Sequence, residues 1–347
     1  MKPGSPVRNV LLFAAFLIII RILGGGGLVV WADPVPEEWV REWPRTDFSR
    51  SSVEFSEILS GGPPKDGIPA IDNPRFRPAR EIRDLDPREP VIVLNMKGEA
   101  SAYPLRILMW HEIVNDQIGD VPVAVTYCPL CNAAVAFDRR VEGRVLDFGV
   151  SGKLRHSDMV MYDRQTESWW QQFVGEGIVG VMTGMRLRHL PAVLRPFSAF
   201  RAAFPGGRVL IPPDRRVRPY GDNPYAGYDR ATAPFLYDGR YDGPGLPLSY
   251  VISVGKEAWL LEDIRRAGRI DHGNLRLEWR AGMNSALDSR RIAKGRDIGF
   301  VNVRRLLPGG SHEEVPHHMT FAFAFKAFHP DGVIHSTARE DGKAPSP

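Results

Sequence analysis

The sequence predicts an α+β chain rich in β-structure: short strands with a few helices, arranged as two related subdomains behind an N-terminal hydrophobic helix. Three observations point there. Glycine and proline number 34 and 30 in 347 residues, which favours turns and short elements over long helices. Apolar residues alternate over short runs, most clearly at Val121, Val123, Val125 and Tyr127. Three stretches of the first half are echoed in order in the second: residues 91–100 (VIVLNMKGEA) by 251–258 (VISVGKEA), 144–157 by 275–289, and 199–210 (AFRAAFPGGRVL) by 324–334 (AFKAFHPDGVI). Ordered echoes are what a duplication leaves behind. Shared glycines among alternating apolar residues are the competing source.

Taken in order, residues 1–32 start with Lys2 and Arg8 and continue as VLLFAAFLIII, Arg21 and ILGGGGLVVW. A basic flank before about twenty apolar residues marks a signal peptide or a membrane anchor, with the rest of the chain outside the cytoplasm. Arg21 shortens the apolar core to residues 10–20, so both remain open. The expectation is a single-pass membrane protein with an extracytoplasmic C-terminal domain, or a secreted one if the signal is cleaved. Its first partner is then the cell membrane. Residues 33–89 read as a linker and wrapping arm, with one short helix within 48–59. Residues 90–215 form the first β-rich subdomain, containing a helix over 105–114 opened by Pro104 and another over 197–204. A connection rich in Gly, Pro and Tyr spans 216–248, the second subdomain 249–337, and a disordered tail 338–347.

A hydrophobic share of 43% with 25% charged residues is enough to bury a full core. The net charge of +4 comes without a basic stripe or nucleic-acid motif, which excludes nucleic acid as a partner.

Both cysteines lie in one C-x-x-C, Cys128-Pro129-Leu130-Cys131, between apolar runs that read as strand, tight turn, strand. Two cysteines cannot form a disulfide framework, and so short a loop gives little entropic stabilisation when closed. Chemistry or ligation is the better reason for the pair, with a buried structural turn as the plain alternative. A redox site needs one thiolate and a second thiol to resolve the mixed disulfide. The run 132–137 reads as a strand, unlike the helix that follows a thioredoxin-like C-x-x-C. A metal site, for zinc or copper, needs further donors: His111 and Asp158 are the first choices, with Glu112 and His156 behind them. His317 and His318 could reach in from the second subdomain or be a polar turn. Ser151 lies between glycines but lacks a nucleophile elbow. Trp169 and Trp170 fall on opposite faces of a strand, to pack or to line a groove.

The runs HEIVND (111–116), VTYCPLC, SGKLRHSDMVMYDRQTESWWQQ and GEGIVG closely resemble a prokaryotic family of unknown function, DUF3179. The likeness covers about residues 67–228 and weakens towards His335. It implies an exported or anchored protein and marks Glu112, Tyr127, Ser151, Tyr162, Asp163, Arg164, Trp170 and Gln171 among its signature positions, our candidate ligand-binding residues. It implies no reaction. This chain departs from the pattern at Asn132-Ala133, where similar proteins look Gly-rich, and at His156, where they often carry Asn. The expected function is an extracytoplasmic metal-binding or thiol-redox protein. The other reading is a noncatalytic envelope module that binds a small molecule or envelope protein and keeps the C-x-x-C as a structural turn.

Overall fold

The computed structural model describes residues 34–214 and 216–337. The expected hydrophobic segment and the C-terminal tail lie outside the described residues. Among those described, no helix is long and apolar enough to cross a membrane. The chain is β-rich as expected: five sheets of four or five strands resemble the blades of a five-bladed β-propeller, accompanied by α-helices of only six or seven residues.

One run of connectivity occurs twice. In the first half, strands Pro90–Met96 and Glu99–Pro104 form a hairpin, followed by the helix Leu105–His111 and the meander Ile113–Ile118, Val121–Cys128, Ala133–Asp138. Strand Arg188–Leu190 extends the meander, Ala192–Pro196 returns to the hairpin, and the helix Phe197–Ala203 leads into Arg208–Ile211, parallel to Glu99–Pro104. The second half repeats this order. Tyr250–Val254 and Glu257–Leu260 form the hairpin, Leu261–Ala267 the helix, and Arg269–His272, Leu275–Arg280 and Phe300–Leu306 the meander. His312–Glu314, His318–Phe321, the helix Ala322–Phe328 and the parallel strand Val333–His335 complete it.

Two of the three sequence echoes occupy matching places. In the echo of 199–210 by 324–334, a helix in each half carries a buried phenylalanine, Phe200 or Phe325, and a glycine seven residues later, Gly207 or Gly332, lies where a Cβ would press on that ring. The third does not match: residues 275–280 take the place of 123–128, whereas 148–155 belong to a sheet present only in the first half. That sheet comprises Phe148–Arg155, Asp158–Asp163, Trp169–Gln171 and Glu176–Val179, edged by Ile58–Ser60 from the arm.

Two helices differ from expectation. The helix expected over 105–114 stops at His111, because Glu112 adopts φ +57° and the β-branched Ile113 and Val114 join a strand. Within 48–59 the chain makes only a short 3₁₀ turn, Phe55–Glu57, before its strand. The arm's helix is instead Glu37–Glu42. It sets Trp39 and the following Trp43 against Trp169, with ring centroids 5.0 and 5.4 Å away. Trp169 thus anchors the arm, while Trp170, on the opposite face, packs in the main core.

Candidate functional site

The strand Val121–Cys128 (VPVAVTYC) is buried along its whole length, which suits a near-continuous apolar run covered on both faces. Cys128 pairs with Ala133 across the ladder, so residues 129–132 form a four-residue turn between strands, as the sequence predicts. Asn132 closes it at φ +49°, its N–H donating to Pro129 O at 3.1 Å. The second half then grips the turn. Thr320 Oγ1 and Phe321 N both donate to Cys131 O, at 2.7 and 3.1 Å. Asn132 Nδ2 donates to Met319 O at 3.2 Å while its Oδ1 accepts from Tyr127 OH at 3.0 Å.

The third group arrives from the sheet unique to the first half. Arg155 pairs with Asp158, so His156 and Ser157 alone make the hairpin turn, at φ +52° and +65°. Two-residue hairpin turns with both central φ values positive favour Asn and Gly, so this turn holds strain in its backbone. It positions Ser157 O 3.7 Å from Cys128 Sγ and brings Asp158 to the cysteines. Both sulfurs and a carboxylate oxygen of Asp158 lie within 4.8 Å of one another, all three residues are buried, and the cysteines are free thiols. Asp158 Oδ2 accepts from Gln171 Nε2 at 2.7 Å and Phe173 N at 2.9 Å; Oδ1 is buried without a hydrogen-bond partner.

Electrostatically the cluster is crowded with acids. Burial lifts Asp158 to about 7 against the opposing pull of its donors Gln171 and Phe173. Burial, then Cys128 and Asp158, push the Cys131 thiol well up. Glu112 is lifted to about 8, by burial first and Asp158 second. A cavity of about 70 Å³ adjoins the cluster at Cys128 and Glu112, lined also by Pro129, Lys153, Met159 and Tyr225. It has room for an ion and one or two waters. Lys153 does not neutralise the acids; its Nζ pairs with Glu42 at 3.2 Å.

His111, expected as a ligand, stands outside this group. Its Nδ1 meets Pro69 O and its Nε2 meets Tyr220 OH, each at 2.7 Å. The helix ends at His111, and the positive φ of the next residue brings Glu112, not His111, to the cavity. His156 approaches Glu57 at 3.3 Å. His317 is buried and His318 half-buried, each against a backbone carbonyl, of Val315 and Ala134; desolvation lowers them to about 3 and 4, and among the described residues neither joins a donor set.

Of the remaining ligand candidates, Tyr162 and Arg164 tie the arm to the sheet, whereas Ser151 and Asp163 bond within it. Tyr162 OH donates to Asp66 at 2.5 Å, Arg164 to Asp72 at 2.5 Å, and Ser151 Oγ to Val160 O. Asp163 accepts from Thr166 N at 2.6 Å and from Trp170 Nε1 at 2.9 Å. Trp169 and Trp170 are fully buried and present no surface to a ligand. Gln171 orients Asp158, and Tyr127 holds the turn. Sequence reasoning passed over Gln172, whose Nε2 bonds Thr126 Oγ1 at 2.7 Å beneath the turn, and Tyr225 as a cavity wall. No spacing signal marks either, since their partners lie far along the chain.

No curated protein and no solved structure matches the chain. A family model described as protein of unknown function (DUF3179) matches residues 65–332, most of the chain and all of the site, and the protein belongs to that family.

Proposed function

We propose that Cys128, Cys131 and Asp158 bind a thiophilic metal ion, zinc or copper, in a domain that residues 1–32 direct out of the cytoplasm. The observation that carries this reading is the convergence of two sulfurs and a carboxylate oxygen within 4.8 Å in a buried site. Two thiols and two carboxyls in low dielectric can ionise only if a cation joins them. A divalent ion would displace the protons of Cys128, Cys131 and Asp158, and the unpartnered Asp158 Oδ1 supplies a ready lone pair. The cavity beside Glu112 leaves a further position open, as in sites where three protein ligands bind zinc and a fourth place takes water or substrate. The scaffold is read as a duplication in which the copy bearing the C-x-x-C holds this site.

A second reading draws on the same sulfurs. The two thiols would be oxidised to a disulfide by a disulfide-bearing partner, which takes both electrons and leaves as a dithiol, and Asp158, near 7, would relay a proton from the attacking thiol to the departing one. Burial and a raised thiol pKa disfavour it, since exchange proceeds through an accessible thiolate. Elemental analysis combined with thiol titration of the purified chain separates the readings. Bound metal lost in Cys128→Ser/Cys131→Ser supports ligation, and a reversible couple without metal supports redox. Neither leaves a structural turn in a binding module. Comparing the mass of the mature protein with that of the full sequence tests the fate of residues 1–32.

A further inference from the structure

The second half carries a donor set of its own. Glu257, His272 and His335 come from three strands, and one ligand atom of each lies within 4.8 Å of the others. Both imidazoles aim Nε2 at the same oxygen, Glu257 Oε2, at 3.1 Å from His272 and 3.2 Å from His335. The rings stand close, with centroids 4.5 Å apart. Trp259, almost fully buried, stacks on His335 at 5.1 Å and meets His272 edge-on at 5.4 Å, which limits how either ring can turn. The three donors stay partly open to solvent, with side-chain exposures of 47%, 44% and 31% for Glu257, His272 and His335.

The matching place in the first half shows what such a position requires. Val209 pairs with Ala102 as Ile334 pairs with Ala258, which sets Ser101 opposite Glu257 and Tyr103 opposite Trp259 in the comparison. Asp116 lies four residues beyond Glu112, as His272 lies four beyond Gly268. There the positive charge is built in. Arg208 donates to Asp116 Oδ2 at 2.8 Å and to Ser101 Oγ at 3.1 Å, and Tyr103 OH donates to the same carboxylate at 2.6 Å. The residue corresponding to Arg208 is Val333. Among the described residues, the groups that pair with Glu257 are the two imidazoles.

We propose that Glu257, His272 and His335 form a second metal site, for an imidazole-preferring divalent transition ion such as Zn²⁺, Co²⁺ or Ni²⁺. Two imidazoles and one carboxylate on one side of an ion leave its remaining positions open to water. The ion takes the place that the Arg208 guanidinium fills in the first half. The site is independent of the cysteines and stands or falls without them.

The test titrates the full chain carrying Cys128→Ser/Cys131→Ser with zinc chloride by calorimetry. One equivalent should bind, and His272→Ala or His335→Ala should each weaken binding at least tenfold, with Glu257→Gln weakening it less. If the cysteine variant fails to fold, Co²⁺ titration of the wild-type chain replaces it. There the surface site gives ligand-field bands without thiolate-to-metal charge transfer, and His272→Ala removes that component alone. Uptake unchanged by both histidine variants, or no saturable uptake outside the cysteines, overturns the proposal; in the latter case the imidazoles do no more than pair with Glu257.

Discussion

The two halves use one connectivity to hold two kinds of donor set, and they differ at three definable places. Where the first half turns its meander in four residues, 129–132, the second spends 281–299 between the corresponding strands. The helix that is capped by Gly268 with φ +71° in the second half is capped by Glu112 with φ +57° in the first. Each carbonyl there accepts from the neighbouring strand, from Trp279 N at 3.0 Å and from Tyr127 N at 2.8 Å, so the two ends are built alike. Only glycine adopts this conformation freely; a glutamate there costs about 1–2 kcal/mol and carries a carboxyl into the cavity. The third difference is the additional sheet, whose strained turn delivers Asp158. The candidate chemistry of the first half therefore sits at its departures from the second. The buried cluster must lose protons to take a cation, whereas the partly exposed imidazoles of the second half have only to release Glu257.

The comparison is broken most severely by removing a sulfur. Cys128→Ser and Cys131→Ser should each lower zinc affinity at the buried site by more than about 100-fold, measured by competition with a chromophoric chelator, while the Glu257 site keeps its uptake. Asp158→Asn should follow at about 100-fold. Gln171→Ala, which only frees the carboxylate that Gln171 orients, should cost about tenfold.

Proton linkage sharpens the contrast further. Glu112 and Asp158 keep their protons in the folded, metal-free chain to about 8 and 7, whereas the unfolded chain releases them near 4.5 and 3.8. The native state then binds more protons, so this contribution is fully present below about pH 4. It fades as pH rises, at up to about 1.4 kcal/mol per pH unit per group, until about pH 8. Urea unfolding across that range should show the decline, and Glu112→Gln with Asp158→Asn should flatten it. Metal loading should run the other way, tightening as pH rises.

The smallest expected effects concern the two helix ends. Glu112→Gly should stabilise the metal-free chain by about 1 kcal/mol, by relieving the backbone and removing a buried carboxyl. Gly268→Ala should destabilise it by about the same amount. Denaturation midpoints of the pair check whether the two ends are equivalent.

Much of the frame was legible in sequence because it rests on local rules. Alternating apolar residues reveal the strand, turn and strand around Cys128 and Cys131, and Pro104 ahead of Leu105 marks a helix start. Asp158 could be named as a donor, but the turn that aims it could not, since His156-Ser157 is an uncommon choice for that conformation. The place of His111 depended on where one helix stopped, and a single left-handed residue decided it. Glu257, His272 and His335 lie far apart in the chain and meet only through strand pairing.

The central claim is tested most directly by titrating the reduced full chain with Co²⁺ while following thiolate-to-cobalt charge transfer. The account predicts a band that saturates at one equivalent, vanishes in Cys128→Ser and in Cys131→Ser, and survives His272→Ala. Fully reduced thiols that give no such band would contradict it.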